Sequence, residues 1–364
     1  MLRSLWFWTT VFIIAIGIAL TAALGVFYWL VVACVLAGLT SLAALLAAGY
    51  VVGPPAPLVP WPPEHTAPTL AEPTSVIYDC DITLGVPCHD VGDGLALLYL
   101  LGAPEVNLLG VTTTYGHGTV ETTTRTARRV LHCLGQGDVP LTPGAPSAAS
   151  SPADNRAAHY LVQTVGDRPG EIVLIATGCM TNLRHAAALD GEFFSKLRAL
   201  YLWGGITGPL NWNGHAIAEL NFSNDPEAAY QALHADCPVT VVPGQAGLTA
   251  VFRAPQMAAL QASGMPIARW LARRIRLWFA LCRLWFHDGG FIIGDSIAAL
   301  AHTHPETLEM QSVYVTSTPL ELRTGRLYVD PSSYGPTQLV LRVNDYEAFI
   351  TAHFAAWQHL RLGR

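Results

Sequence analysis

Four aspartates, Asp79, Asp81, Asp90 and Asp93, crowd into the stretch VIYDCDITLGVPCHDVGDGLALLYLL from Val76 to Leu101. Carboxylates brought to one place repel one another unless a proton or a cation lies between them. Hard oxygen donors of this kind suit Ca²⁺ or Mg²⁺. Polar residues are also released at the ends of apolar runs elsewhere: Thr177 to Asn182 after IVLIA, Asn211 to His215 with Glu219, Asn221 and Asn224, and Gly294-Asp295-Ser296 at a helix start. Together these residues offer carboxylates for a hard cation and a mixture of amides and acids. A sugar requires that mixture of donors and acceptors.

A scaffold must deliver these residues to one place. Val76-Ile77-Tyr78 suits a buried strand, and Leu95 to Leu101 suits a helix stopped by Gly102 and Pro104. Strands are predicted over Val106–Thr114, Ile172–Ala176, Ala199–Trp203 and Val239–Val242. Helices are predicted over Glu121–Leu134, with Thr119 as N-cap, and over Pro226–Ala235, with Asp225 as N-cap. Ile297–Ala301 and Tyr346–Leu360 read as further helices, and Val313–Thr316, Leu320–Val329 and Leu339–Val343 as a strand-rich stretch. The alternation predicts an α/β fold, a mainly parallel, Rossmann-like open sheet flanked by helices. Such sheets bind ligands beyond the carboxyl ends of their strands, where the acidic stretch falls. Ile267–Phe286 is basic and rich in tryptophan. It reads either as a membrane-surface helix or as an amphipathic helix packing its tryptophans on the sheet or over a pocket.

Charge is unevenly spread. Hydrophobic residues make up 51% of the 364-residue chain and charged residues 13%, and none is charged between Arg3 and Glu64. Trp6 to Val52 is more than twice the ~20 residues of a spanning helix, which predicts N-terminal transmembrane helices, two by length. Arg3 favours a cytoplasmic N-terminus, so a hairpin would place the protein at the membrane with its catalytic domain in the cytoplasm. Residues 53–73 carry eight prolines and read as a semi-rigid spacer. The expected organisation is a membrane segment over 1–52, a linker over 53–73 and one domain over 74–364. The net charge of −6 argues against a nucleic-acid partner. Seven cysteines without a CxxC pair read as free thiols in a reducing compartment.

The motifs, in order, resemble the inosine/uridine-preferring nucleoside hydrolase family. DCD followed by DGLALL resembles its N-terminal acidic signature. GVTTTYGHGTVETTTRTARRVL, ATGCMTNLRHA, WGG, NGHAIAELNFSNDPEAA and GDSIAALAHTHPE resemble its later segments, of which AELNFSNDPEAA is the most specific. The resemblance covers Thr74 to Pro305 and implies the nucleoside hydrolase fold. It also implies calcium-dependent hydrolysis of a ribonucleoside to ribose and free base. By position, Asp81, Asp93, Asp295 and the backbone carbonyl of Thr177 would hold Ca²⁺, which would bind the ribose diol and a water. Asp81 would take the proton of the attacking water. Asn213, Glu219 and Asn221 would hold ribose hydroxyls. The family also implies a homo-oligomer.

Departures from the family pattern are specific. Gly92 stands where a second acid precedes Asp93, and Asp90 is the residue placed to substitute for it. His117 replaces an asparagine after Tyr-Gly, on the substrate side. Gly294 replaces the histidine before Asp295, which leaves His117, His215 or His287 to protonate the leaving base. Two other readings stay open at this point. One is a degenerate member that binds a nucleoside or ribose without efficient hydrolysis. The other is a haloacid dehalogenase-type phosphatase, with Asp79-Cys80-Asp81-Ile82-Thr83 as its DxDxT motif.

Overall fold

The computed structural model describes residues 72–287, 289–330 and 335–363. Thirteen strands run in chain order: β1 Thr74–Cys80, β2 Val106–Thr113, β3 Leu141–Pro143, β4 Val173–Ala176, β5 Ala199–Trp203, β6 Asn211–Trp212, β7 His215–Ala216, β8 Val239–Val242, β9 Val251–Arg253, β10 Gly290–Ile292, β11 Leu308–Val315, β12 Val329–Asp330 and β13 Thr337–Val343. Nine of them form one sheet in the order β12-β11-β13-β8-β5-β4-β1-β2-β3. Pairing is parallel from β13 through β8, β5, β4, β1 and β2 to β3. β11 and β12 add an antiparallel edge. β6 with β7, and β9 with β10, are separate two-stranded ribbons.

Helices cover both faces, so the central strands are apolar on both sides. The period of two sorts them. On β1, Val76, Tyr78 and Cys80 enter one core and Ile77 the other; on β4, Val173 and Ile175 separate in the same way from Leu174 and Ala176. The helices used below are α1 Gly92–Gly102, α2 Val120–Cys133, α3 Arg156–Asp167, α4 Thr181–Leu189, α5 Pro226–Leu233, α6 Ala254–Ala262, α7 Pro266–Phe286, α8 Gly294–Leu300 and α9 Tyr346–His359. Helices α1, α7, α8 and α9 share the first core, and α3, α4 and α5 the second.

Local chemistry explains the helix ends. Thr119 caps α2 by accepting from Thr122 N, as its position predicts. Asp225 caps α5 by accepting from Ala228 N at 3.1 Å, and its other oxygen takes the Thr181 hydroxyl at 2.7 Å and Arg184 at 3.0 Å. Asp225→Ala is expected to destabilise the fold by about 2 kcal/mol, the upper range for a lost cap, because the hydroxyl of Thr181 also loses its acceptor. A lowered urea midpoint with an unchanged slope would show it.

Several expectations are corrected. Leu320–Val329 is not a strand. Thr318 and Glu321 form a capping box around a helical turn at Pro319–Leu322, and chain pairing resumes at β12. Helices α3 and α6 and the short β3 and β10 were not expected. Trp6–Val52 and the spacer up to residue 71 lie outside the described residues. No helix among the described residues is long and apolar enough to cross a membrane. The expected membrane location, and the cytoplasmic placement that follows from it, find no support in the described chain and are withdrawn. The membrane-surface reading of Ile267–Phe286 is corrected as well, by the packing of α7. It has 21 residues, but five are arginines, and it buries Ile267, Trp270, Leu271, Ile275 and Phe279 in the protein's own core. Six cysteines within the described residues are free thiols, as expected.

Candidate active site

Strand order reverses between β1 and β4: from β1 the chain builds outward to β2 and β3, and from β4 to β5 and β8. The crevice beyond the carboxyl ends of two such strands is where an open α/β sheet binds ligands. β1 ends there in Asp79 and Asp81, β4 ends in Thr177, α1 brings Asp93 and α8 brings Asp295. All five are buried.

Each carboxylate has a distinct environment. Asp79 shares the sheet face of Ile77. Its Oδ1 accepts from Thr112 Oγ1 at 2.5 Å and from Asn182 Nδ2 at 2.7 Å. Burial raises its pKa to about 7 against those two hydrogen bonds. Asp81 is likewise raised by burial to about 7, opposed by its neighbour Asp93 and by the hydrogen bond from the His117 amide. That amide donates to Asp81 Oδ2 at 2.5 Å, whereas Asp81 Oδ1 is buried with no hydrogen-bond partner. Asp93 Oδ1 accepts from the Thr177 hydroxyl at 2.6 Å and the Tyr78 hydroxyl at 3.2 Å. Burial, then the charge of Asp81, holds its carboxyl well above the usual range. Asp295 is raised by burial, then by Asp93 and Asp90.

The neighbouring residues form a cavity of about 280 Å³ whose lining includes Asp90, His117, Glu219, Asn221 and Asp295. The carboxylate of Asp90 accepts from Val91 N at 2.8 Å and Gly92 N at 3.1 Å, and so faces the start of α1. A Cβ on Gly92 would fall 2.0 Å from Asp295 Oδ2 and 3.5 Å from Asp90 Oδ2. In this arrangement the space of an acid at 92 is occupied by Asp295, with Asp90 beside it. Asn221 Nδ2 donates to the Thr177 carbonyl at 2.6 Å and to the Trp203 carbonyl at 2.9 Å, while its Oδ1 is buried without a partner. Glu219 spends its carboxylate on the amides of Gly205, Phe222 and Ser223. Asn213 is not brought into the cavity. Its amide donates to the Phe286 carbonyl at 2.9 Å, tying the β6–β7 ribbon to the end of α7. His215 and His287 lie at that tie, with ring centroids 6.2 Å apart, outside the cavity lining.

The donors suit a hard divalent cation. The charge of Asp81 raises the proton affinity of Asp93, that of Asp93 raises Asp295 and that of Asp295 raises Asp81, and a carboxylate oxygen is buried without a donor; positive charge would relieve both. No group of three His, Cys, Asp or Glu side chains among the described residues is gathered closely enough to hold a metal ion.

The model of the inosine-uridine preferring nucleoside hydrolase family matches residues 76–351. The chain belongs to that family. The nucleoside hydrolase family member described here is 30% identical over 191 residues to the pyrimidine-specific ribonucleoside hydrolase RihA of Shewanella sp. (strain MR-7), covering 46% of this chain but only 57% of that protein. Its identity to RihA of Shewanella baltica (strain OS155 / ATCC BAA-1091) is 28% over 286 residues, 70% of this chain and 86% of the relative. Its fold matches a purine-preferring ribonucleoside hydrolase from Gardnerella vaginalis with a TM-score of 0.68, covering 78% of this chain and 98% of that one. At 21% identity, that likeness speaks for the fold alone. The family is one of hydrolases acting on N-glycosyl bonds. The phosphatase reading gains nothing from these matches, and the nucleophile it needs, Asp79, is sealed between Thr112 and Asn182.

Sequence reasoning about this nucleoside hydrolase family member missed Tyr78, whose hydroxyl bridges Thr177 and Asp93. Its signal was present: a polar-tipped aromatic in an apolar strand, just before the acids. Trp203 was missed as a site residue as well, whereas the expectation that the helix over Ile267–Phe286 packs its tryptophans on the sheet or over a pocket is met by Trp278 at the cavity.

Proposed function

We propose that residues 74–364 form a calcium-dependent ribonucleoside hydrolase that releases ribose and free base. The observation that carries this reading is the unpartnered oxygen of Asp81, buried at the switch point within the field of Asp93 and Asp295. Asp81, Asp93, Asp295 and the Thr177 carbonyl are the residues to hold calcium, which when bound would supply positive charge beside the ribose diol and acidify a nearby water. Asp81 takes the proton from the attacking water, a role suited to a carboxylate raised toward neutrality. The free Oδ1 of Asn221 accepts from a ribose hydroxyl. Asp90, beside the space of residue 92, supplies the ribose contact that Gly92 lacks, and His117 and Glu219 border the same sugar site. Asn213 reaches the ribose when its amide leaves the Phe286 carbonyl. These contacts favour a flattened, oxocarbenium-like sugar.

The test is ribose release from inosine and uridine by the purified full-length protein, with calcium and with chelator. Calcium-dependent nucleoside binding without turnover would replace the hydrolase reading by the binding one. A second outcome tests the position of the base. A Cβ on Gly116 would lie 1.9 Å from Asp81 Oδ2, so Gly116→Ala must push that carboxylate aside. Displacement on that scale is expected to lower kcat by about 10²-fold with little change in far-UV circular dichroism.

A further inference from the structure

The part of the cavity away from the carboxylates is walled by aromatic rings. Trp278, Cys282 and Phe286 lie at helical spacing on one face of α7, and Trp203, Trp212 and Phe291 complete the wall. Trp212 and Phe286 stack, with ring centroids 4.6 Å apart and planes 27° apart. Trp203 is wedged against α8: a Cβ on Gly294 would fall 2.1 Å from the tip of its indole. Any larger side chain at 294 and this indole exclude each other. The position where the resemblance expects a proton-donating histidine is therefore filled by a ring that has no acid to give. Among the described lining residues, the polar charged groups are Asp90, His117, Glu219 and Asp295. His117 lies at the carboxylate end, with its amide on Asp81 and its ring in the field of Asp93 and Asp295; Asp90 and Glu219 are carboxylates that accept from backbone amides, and Asp295 is a proposed calcium ligand.

This chemistry selects a leaving group. When the C1′–N bond breaks, its electron pair goes to the ring nitrogen. A neutral purine or pyrimidine then leaves as an anion and requires a proton. A heterocycle already quaternised at nitrogen takes the pair, loses its positive charge and leaves neutral. Aromatic faces attract such a cation, whereas the polar edge of a neutral base would be buried against rings that offer it few partners. Resting on the hydrolase reading, we propose that the preferred substrates are ribonucleosides whose aglycone is a cationic, N-quaternised aromatic heterocycle. In the reaction, water oxygen bonds to C1′, C1′–N breaks, the water proton passes to Asp81 and then to solvent, and the products are ribose and a neutral base.

The test uses the full-length protein with calcium and a matched pair, guanosine and 7-methylguanosine, with nicotinamide riboside and uridine as a second pair. The kcat/KM of each cationic member is expected to exceed that of its neutral partner by about 10²-fold or more, the contribution a general acid would otherwise make. Trp278→Leu, and independently Phe286→Leu, should narrow that ratio by about 10-fold through loss of a ring face. Neutral partners hydrolysed as fast as cationic ones would overturn this inference and leave the hydrolase reading standing. No ribose from any of the four would overturn both.

Discussion

Asp81→Asn is expected to lower kcat for ribose release by about 10³-fold and to weaken calcium binding, while the protein remains folded. The size follows from the loss of a general base, worth 10²–10⁴-fold in most enzymes. The amide has nearly the shape of the acid, so packing around residue 81 is kept. Burial has already raised this carboxyl to about 7, so replacing it with a neutral group removes a desolvation cost rather than adding one. The melting temperature of the chelated variant at pH 8 should therefore equal or exceed that of the parent. Steady-state kinetics, calcium titration calorimetry and a melting curve check the three parts. Full activity in the variant would remove Asp81 from the mechanism.

Stripping the metal makes stability fall as pH rises. Asp79 and Asp81 are both held near 7 in the folded protein, far above the ~3.9 of an unfolded aspartate. Below the unfolded value both states hold the proton, and the full stability is present. Between the two values the folded state binds the extra proton, so raising the pH favours unfolding until the folded value is passed. One such group weakens folding by on the order of 4 kcal/mol across that window. The chelated protein is expected to melt progressively lower from pH 5 to pH 8. Calcium should cancel the share owed to Asp81, Asp93 and Asp295, since metal binding requires their deprotonated forms. It should leave the share owed to Asp79, whose partners are Thr112 and Asn182. Melting curves with and without calcium at several pH values separate the two, and parallel curves would exclude the carboxylates as ligands.

The base end of the site was the least legible. The basic, tryptophan-rich stretch from Ile267 to Phe286 had helical spacing, but periodicity alone does not say what a face meets. Packing assigns it: Trp270 lies in the core, Trp278 and Phe286 face the cavity, and Trp285 is 68% exposed. The strand expected over Leu320–Val329 failed because Thr318, Pro319 and Glu321 carry a helix start that outweighs a weakly apolar run.

By itself the sequence determined the alternation of strand and helix, the caps at Thr119 and Asp225, and the acids Asp81, Asp93 and Asp295 at the ends of apolar runs. These are local matters, decided by side-chain period, by backbone donors at helix ends and by motif order. Only the tertiary structure decided that the three acids share one field, that Asp295 lies over Gly92, that Asn213 is held on Phe286 and that Trp203 fills the space before Asp295. Those relations join residues up to about two hundred positions apart. Close packing of the two cores against a single twisted sheet sets which atoms meet, and spacing along the chain carries no record of it.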